Sequence, residues 1–144
     1  MSVLTLDQAQ TILSTALRQA VAQKLSPLAI VVLDGRGALK AFGAQDGTSL
    51  KRGEIAIGKA RGALALGMGS RSLFRRAKEQ PFFIAAAGEV VGDLIPVPGG
   101  VLIRDAAGAI CGAVGISGDT SDNDEACAVA GIEAASFRAD PGQD

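Results

Sequence analysis

Apolar residues at Ala9, Ile12, Leu13, Ala16, Leu17, Ala20 and Val21 repeat at the spacing of a single helical face. Thr5 and Gln8 stand three apart at its start, where they can form a reciprocal capping box. Pro27 halts that helix, and the periodicity then changes. Leu28-Ala-Ile-Val-Val-Leu33 is an unbroken apolar run of strand length, closed by the turn sequence Asp34-Gly35-Arg36-Gly37. A return strand follows over Ala38 to Ala44, and Asp46-Gly47 turns the chain again.

Between Leu50 and Leu66 the spacing is helical again, although Gly53, Gly58 and Gly62 lie inside it at a cost of about 1 kcal/mol each relative to Ala. Close approach of a neighbouring element or a ligand is the usual reason for such glycines. Projected at 100° per residue, Arg52, Ile55, Ala56, Lys59, Ala63 and Leu66 share one face, and Gly53, Ile57, Ala60 and Leu64 a second. Glu54, Gly58, Arg61 and Ala65 are left for water. Lys59 therefore sits in the middle of a small, apolar face.

Arg71 to Glu79 reads as a short helix made basic by Arg71, Arg75, Arg76 and Lys78, and Phe82 to Ala87 as a strand. Two prolines make Val90 to Pro98 irregular. Strands are expected at Val101 to Arg104 and Ala109 to Ser117, joined by the turn Asp105 to Gly108. On the second of these, Cys111, Ala113, Gly115 and Ser117 fall on one nearly bare face. A last helix from about Asn123 to Phe137 is capped by Asp122 and Glu125, and residues 139–144 read as a frayed tail. The order α-β-β-α-α-β-β-β-α predicts one α+β domain over residues 1–138, an antiparallel sheet with helices packed on it.

With 144 residues the chain is long enough to bury a core without disulfides or metals. Its mean hydropathy of +0.30 is high, but no apolar run approaches the roughly 20 residues of a membrane span. Much of the apolar content is Ala and Gly, which bury little area each, so a homo-oligomer is expected to cover part of the surface. The residues before the first helix lack a signal sequence, and Cys111 and Cys127 are expected as buried, reduced thiols; both point to the cytoplasm. A net charge of -1 and Phe as the only aromatic type exclude a nucleic-acid binder.

The chain contains no histidine, tyrosine or tryptophan. Without histidine there is no imidazole base, no His-dependent triad and no histidine ligand for haem or zinc. The candidates for proton chemistry are Lys59, whose burial would lower its pKa, and Asp46. A ligand pocket is expected from Lys59, Arg52, Asp46, Gly47, Pro98, Gly99, Gly100, Ala113 and Gly115, with the Gly-Gly amides oriented toward a negative charge. Asp119, Asp122, Asp124 and Glu125 crowd one helix start; a hard cation is the weaker reading there, because acids at that position stabilise a helix unaided. No metal is expected.

Val31-Val-Leu-Asp34 before a Gly turn, Asp46-Gly47, Ile55-Ala-Ile-Gly-Lys59-Ala60, Pro98-Gly99-Gly100, Gly112-Ala-Val-Gly-Ile-Ser-Gly118 and Asp124-Glu-Ala-Cys127-Ala128 occur in this order. The set resembles the GlcG/HbpS family over nearly the whole chain. The resemblance implies a profilin-like domain, octamers or other homo-oligomers, and haem binding in some members; related domains are fused to PduO-type corrinoid adenosyltransferases. It carries the family's Lys-Ala onto Lys59 and Ala60, its Asp-Gly onto Asp46 and Gly47, its Gly-Gly onto Gly99 and Gly100, and its Asp-Glu onto Asp124 and Glu125. Leu102 stands where the family often has proline. Haem, if bound, would rely on Cys111, Cys127, Met68 or contacts from Arg and Lys to its propionates.

The expected function is thus a small-ligand-binding protein for a tetrapyrrole or a small anionic metabolite. Alternatives are a cofactor-independent isomerase, tautomerase or lyase acting on an organic acid, and a scaffold or regulatory partner using the basic helix.

Overall fold

The computed structural model describes residues 3–144. The elements are α1 (Leu6–Ala22), β1 (Ala29–Asp34), β2 (Leu39–Ala44), α2 (Arg52–Leu66), α3 (Ser70–Glu79), α4 (Pro81–Val91), β3 (Gly100–Arg104), β4 (Ile110–Ser117), α5 (Ser121–Ala134) and β5 (Arg138–Asp140). The capping box is present: Gln8 N–H donates to Thr5 Oγ1 and Thr5 N–H to Gln8 Oε1. No helix among the described residues is long and apolar enough to cross a membrane.

The five strands form one antiparallel sheet in the order β2-β1-β4-β3-β5. Alternation along the central β1 divides the core. Ile30 and Val32 face α1 and α5 within a cluster containing Ile12, Ala16, Val114, Ile116, Cys127 and Ile132. Ala29, Val31 and Leu33 face α2 with Ala56, Ala60, Ala63 and Ala113. Helices therefore cover both faces of the sheet, as the α+β reading requires.

Several local expectations change. The segment Phe82 to Ala87 lies inside α4 instead of forming a strand. Pro81 at the first turn needs no N–H partner there and presets φ, and the Ala85-Ala86-Ala87 run has the best helix propensity available. Thr120, not Asp122, caps α5, its hydroxyl accepting the Asn123 N–H at 3.2 Å. That helix ends at Ala134, and Ser136 takes φ +66°, so the chain reverses before Phe137. The end of the chain is not frayed: Arg138–Asp140 pairs with β3, with Asp140 opposite Leu102.

Cys111 also leaves its expected face. The register between β3 and β4 passes from Ile103 opposite Gly112 to Arg104 opposite Ile110, so Cys111 is the extra residue of a bulge. It turns to the α1/α5 side, whereas Ile110 packs with Ala113 on the α2 side.

Candidate functional site

The bare face of β4 exists because α2 lies directly on it. A Cβ at Gly115 would stand far inside van der Waals contact with the Ala56 carbonyl oxygen, and one at Gly100 far inside contact with the Lys59 carbonyl oxygen. Helix backbone thus touches strand backbone, which only small residues permit. Gly58 is buried as well, under Ile95, rather than facing water as its place on the helix suggests.

Lys59 occupies the same contact. It is 2% exposed, and its Nζ donates to the Ile116 carbonyl at 2.8 Å and to Asp124 Oδ2 at 3.3 Å. Asp124, 1% exposed, accepts the Asp119 N–H on its other oxygen at 3.1 Å. Burial pulls the Lys59 pKa down and pushes that of Asp124 up, and their mutual attraction opposes both shifts. At Gly99, φ is +122° and an added Cβ would come within 2.8 Å of Lys59 Nζ, so this glycine answers to backbone conformation and to the lysine head together.

The sequence-derived pocket residues are therefore brought together only in part. Lys59, Pro98, Gly99, Gly100, Ala113 and Gly115 are adjacent and buried, and the space among them is filled by α2. Ser70 Oγ accepts the Gly100 N–H at 2.7 Å, so that amide is already engaged. Arg52 reaches the edge of the contact, where its Nη1 donates to Ser117 Oγ at 3.1 Å. Asp46 and Gly47 are exposed; φ of +86° explains the glycine, where an added Cβ would meet Pro27 only at an ordinary 3.5 Å.

The four acids at the start of α5 divide among three sets of partners. Asp119 accepts from Ser26 N–H, Thr120 N–H and Asn123 Nδ2, which hold its carboxyl down at about 2. Asp124 serves Lys59. Arg71 binds Asp122, Glu125 and Asp144, which raise its pKa further, so the residue expected on a solvated basic helix is a clamp joining α3, α5 and the C-terminal segment. Among the described residues no group of three potential ligands stands together as a metal site.

Donors for a haem iron fit poorly. Cys111 is buried, with its thiol pushed up by burial and by Asp105; Cys127 is fully buried and pushed up to about 11 by burial and by Asp124 and Asp119. Both thiols stay protonated near neutral pH, whereas the thiolate is the ligating form. Met68 is half-buried in the turn after α2.

Open space lies elsewhere, and part of it runs along the junction of α2 and α4. A groove of about 290 Å³ is lined by Gly35, Arg36 and Gly37 of the β1–β2 turn with Arg61, Leu64 and Val91. A second, of about 320 Å³, is lined by Leu66, Phe83, Ala86, Ala87, Val90 and Val91. They meet at Val91. In the sequence Gly35-Arg36-Gly37 reads as a hairpin turn and Arg61 as a solvent position, both as found, whereas the α4 segment reads as a strand.

The family model described as "Haem degrading protein HbpS-like" matches residues 4–133. No curated protein is a significant match. Among solved structures, the PduOC–heme complex superposes with a TM-score of 0.84 at 21% identity, over 99% of this chain and all of that one. The protein ORFY of Klebsiella pneumoniae gives 0.83 at 22% identity, over 94% of this chain and 92% of its own. HbpS gives 0.81 at 24% identity, over 92% and 90%. These likenesses establish a common fold, and with a family model spanning most of the sequence they lead to one conclusion: the chain belongs to the HbpS-like family.

Proposed function

We propose that the protein is a cytoplasmic, homo-oligomeric small-ligand-binding protein, its ligand a tetrapyrrole or another anionic metabolite with an apolar body. The observation that carries binding over turnover is the state of Lys59: the one sharply placed basic group is held by Asp124 and the Ile116 carbonyl inside a filled helix–sheet contact. A base or Schiff-base amine needs an unencumbered approach to substrate, and this one has none.

The tetrapyrrole reading draws on the family description and on the fold shared with a protein crystallised with heme. Because the thiols are buried and protonated, the reading rests on the porphyrin and its carboxylates and not on ligation of iron. Exposed Phe82, Leu50 and Val21 supply apolar surface for association between copies. Two free, buried cysteines suit a reducing compartment.

Parallel titrations with haemin and with iron-free protoporphyrin IX test this. Saturable binding of both, with similar Kd, is expected. Stoichiometric haemin binding with no response to the iron-free porphyrin would place an axial ligand at the centre and overturn the reading. Conversion of haemin or of an organic acid at catalytic rates would overturn the assignment to binding.

A further inference from the structure

We infer that the ligand site is the groove between α2 and α4, where Arg36 and Arg61 take two carboxylates at one end while Leu64, Leu66, Phe83, Val90 and Val91 receive an apolar body. The inference rests on the ligand reading above and moves its site away from Lys59.

The two halves of the groove differ in chemistry. At the end formed by the β1–β2 turn, two guanidiniums line the same 290 Å³ space. Both are engaged only by exchangeable partners. Arg36 is 85% exposed and contacts Asp34 at 3.3 Å; Asp34 is tied separately to the Arg36 and Ala38 amides, so its orientation does not depend on the guanidinium. Arg61 meets Asp93 at 2.7 Å, both side chains being about half exposed. Surface pairs of this kind are worth little, and each is a single N–O contact that leaves the guanidinium further N–H donors for an arriving carboxylate.

Beyond Val91 the lining becomes apolar. Val90 is 88% exposed and Phe83 38%, and Arg76 stacks over the Phe83 ring at 4.8 Å, so a third cation flanks the far end. Two guanidiniums beside an uncharged floor are complementary to a molecule with paired carboxylates on one edge and hydrocarbon on the rest. A second copy of the chain would bury Val90 and Phe83 but would leave the pair Arg36 and Arg61 without a matching role.

Fluorescence titration with protoporphyrin IX and with its dimethyl ester separates charge from apolar contact. Arg36→Ala and Arg61→Ala are each expected to weaken binding of the free acid roughly tenfold, about the worth of one charge-assisted hydrogen bond, and to leave the ester unchanged. Val90→Asp is expected to weaken both. Saturable wild-type binding that survives the Arg36→Ala/Arg61→Ala double change overturns this site and leaves the ligand reading standing. Absence of saturable wild-type binding overturns both. If Val90→Asp converts an assembly to smaller species by light scattering while both affinities persist, the face belongs to a second copy and the site is overturned.

Discussion

Lys59 and Asp124 form a salt bridge of 3.3 Å between α2 and α5 with both side chains almost wholly buried. Each has a further partner, the Ile116 carbonyl for the ammonium and the Asp119 amide for the carboxylate, so neither charge depends on the other alone. The two helices lie on opposite sides of the sheet, and the pair meets where β4 ends. It holds together the layers of the domain at that edge.

Removing one member leaves the other charge buried with a neutral backbone partner and no counter-charge. Lys59→Met is expected to cost about 3–5 kcal/mol in denaturant unfolding, whereas Lys59→Met combined with Asp124→Leu should recover most of that loss. A single change costing less than about 1 kcal/mol would mean that water reaches the carboxylate. Ligand affinity of any Lys59 variant that stays folded should match the wild type.

Two glycines predict opposite signs. At Gly115 a methyl group would collide with the Ala56 carbonyl, and backbone on both sides leaves no flexible group to yield. Gly115→Ala should therefore cost about 3 kcal/mol or more, at the upper end of overpacking effects. At Gly88, inside α4, nothing lies within 4 Å of an added Cβ. Gly88→Ala should stabilise by roughly 0.5–1 kcal/mol through helix propensity. Thermal melts of both variants check the pair.

The acid limb of stability has a specific contributor. Asp119 titrates at about 2 in the folded protein against 3.8 for the free group, because Asn123 and the Ser26 and Thr120 amides bond its charged form. A depressed folded pKa gives stability that is complete above 3.8 and is lost as the pH falls toward 2. Asp119→Asn should lower Tm at pH 6 and flatten its fall between pH 4 and pH 2. An equally steep fall in the variant would assign the acid limb to other carboxylates.

How far the sequence revealed all this depended on whether the signal was local. The α1 face and its capping box follow from spacing alone, and the chain from Thr5 to Ala22 folds as they require. Gly53, Gly58 and Gly62 correctly marked close packing of α2, but the same three residues suit a ligand and a neighbour equally. Only three-dimensional placement distinguishes them: Phe42, Ile95 and Leu94 fill the space. The α4 segment was misread because its apolar run has no polar face to reveal a period of 3.6. Lys59 was visible as unusual; its partner Asp124, 65 residues away, looked like an ordinary first-turn acid.

Arg71 joins the domain to the last residues of the chain. Beyond its contacts with Asp122, Glu125 and Asp144, its backbone N–H donates to the Pro141 carbonyl at 3.2 Å, and Ser72 Oγ accepts the Gln143 N–H at 2.8 Å. Asp122 and Asp144 are largely exposed, so those two pairs contribute little; Glu125 is mostly buried and contributes more. Arg71→Ala should cost about 1–2 kcal/mol overall, mainly through Glu125. Hydrogen exchange should accelerate first at Gly142 and Gln143, because these amides are held by side-chain oxygens, of Asp140 and of Ser72 in α3, rather than by the ladder of the central sheet. If exchange there were unchanged while global stability fell, the C-terminal segment would be held by its β5 pairing with β3 and not by the arginine clamp.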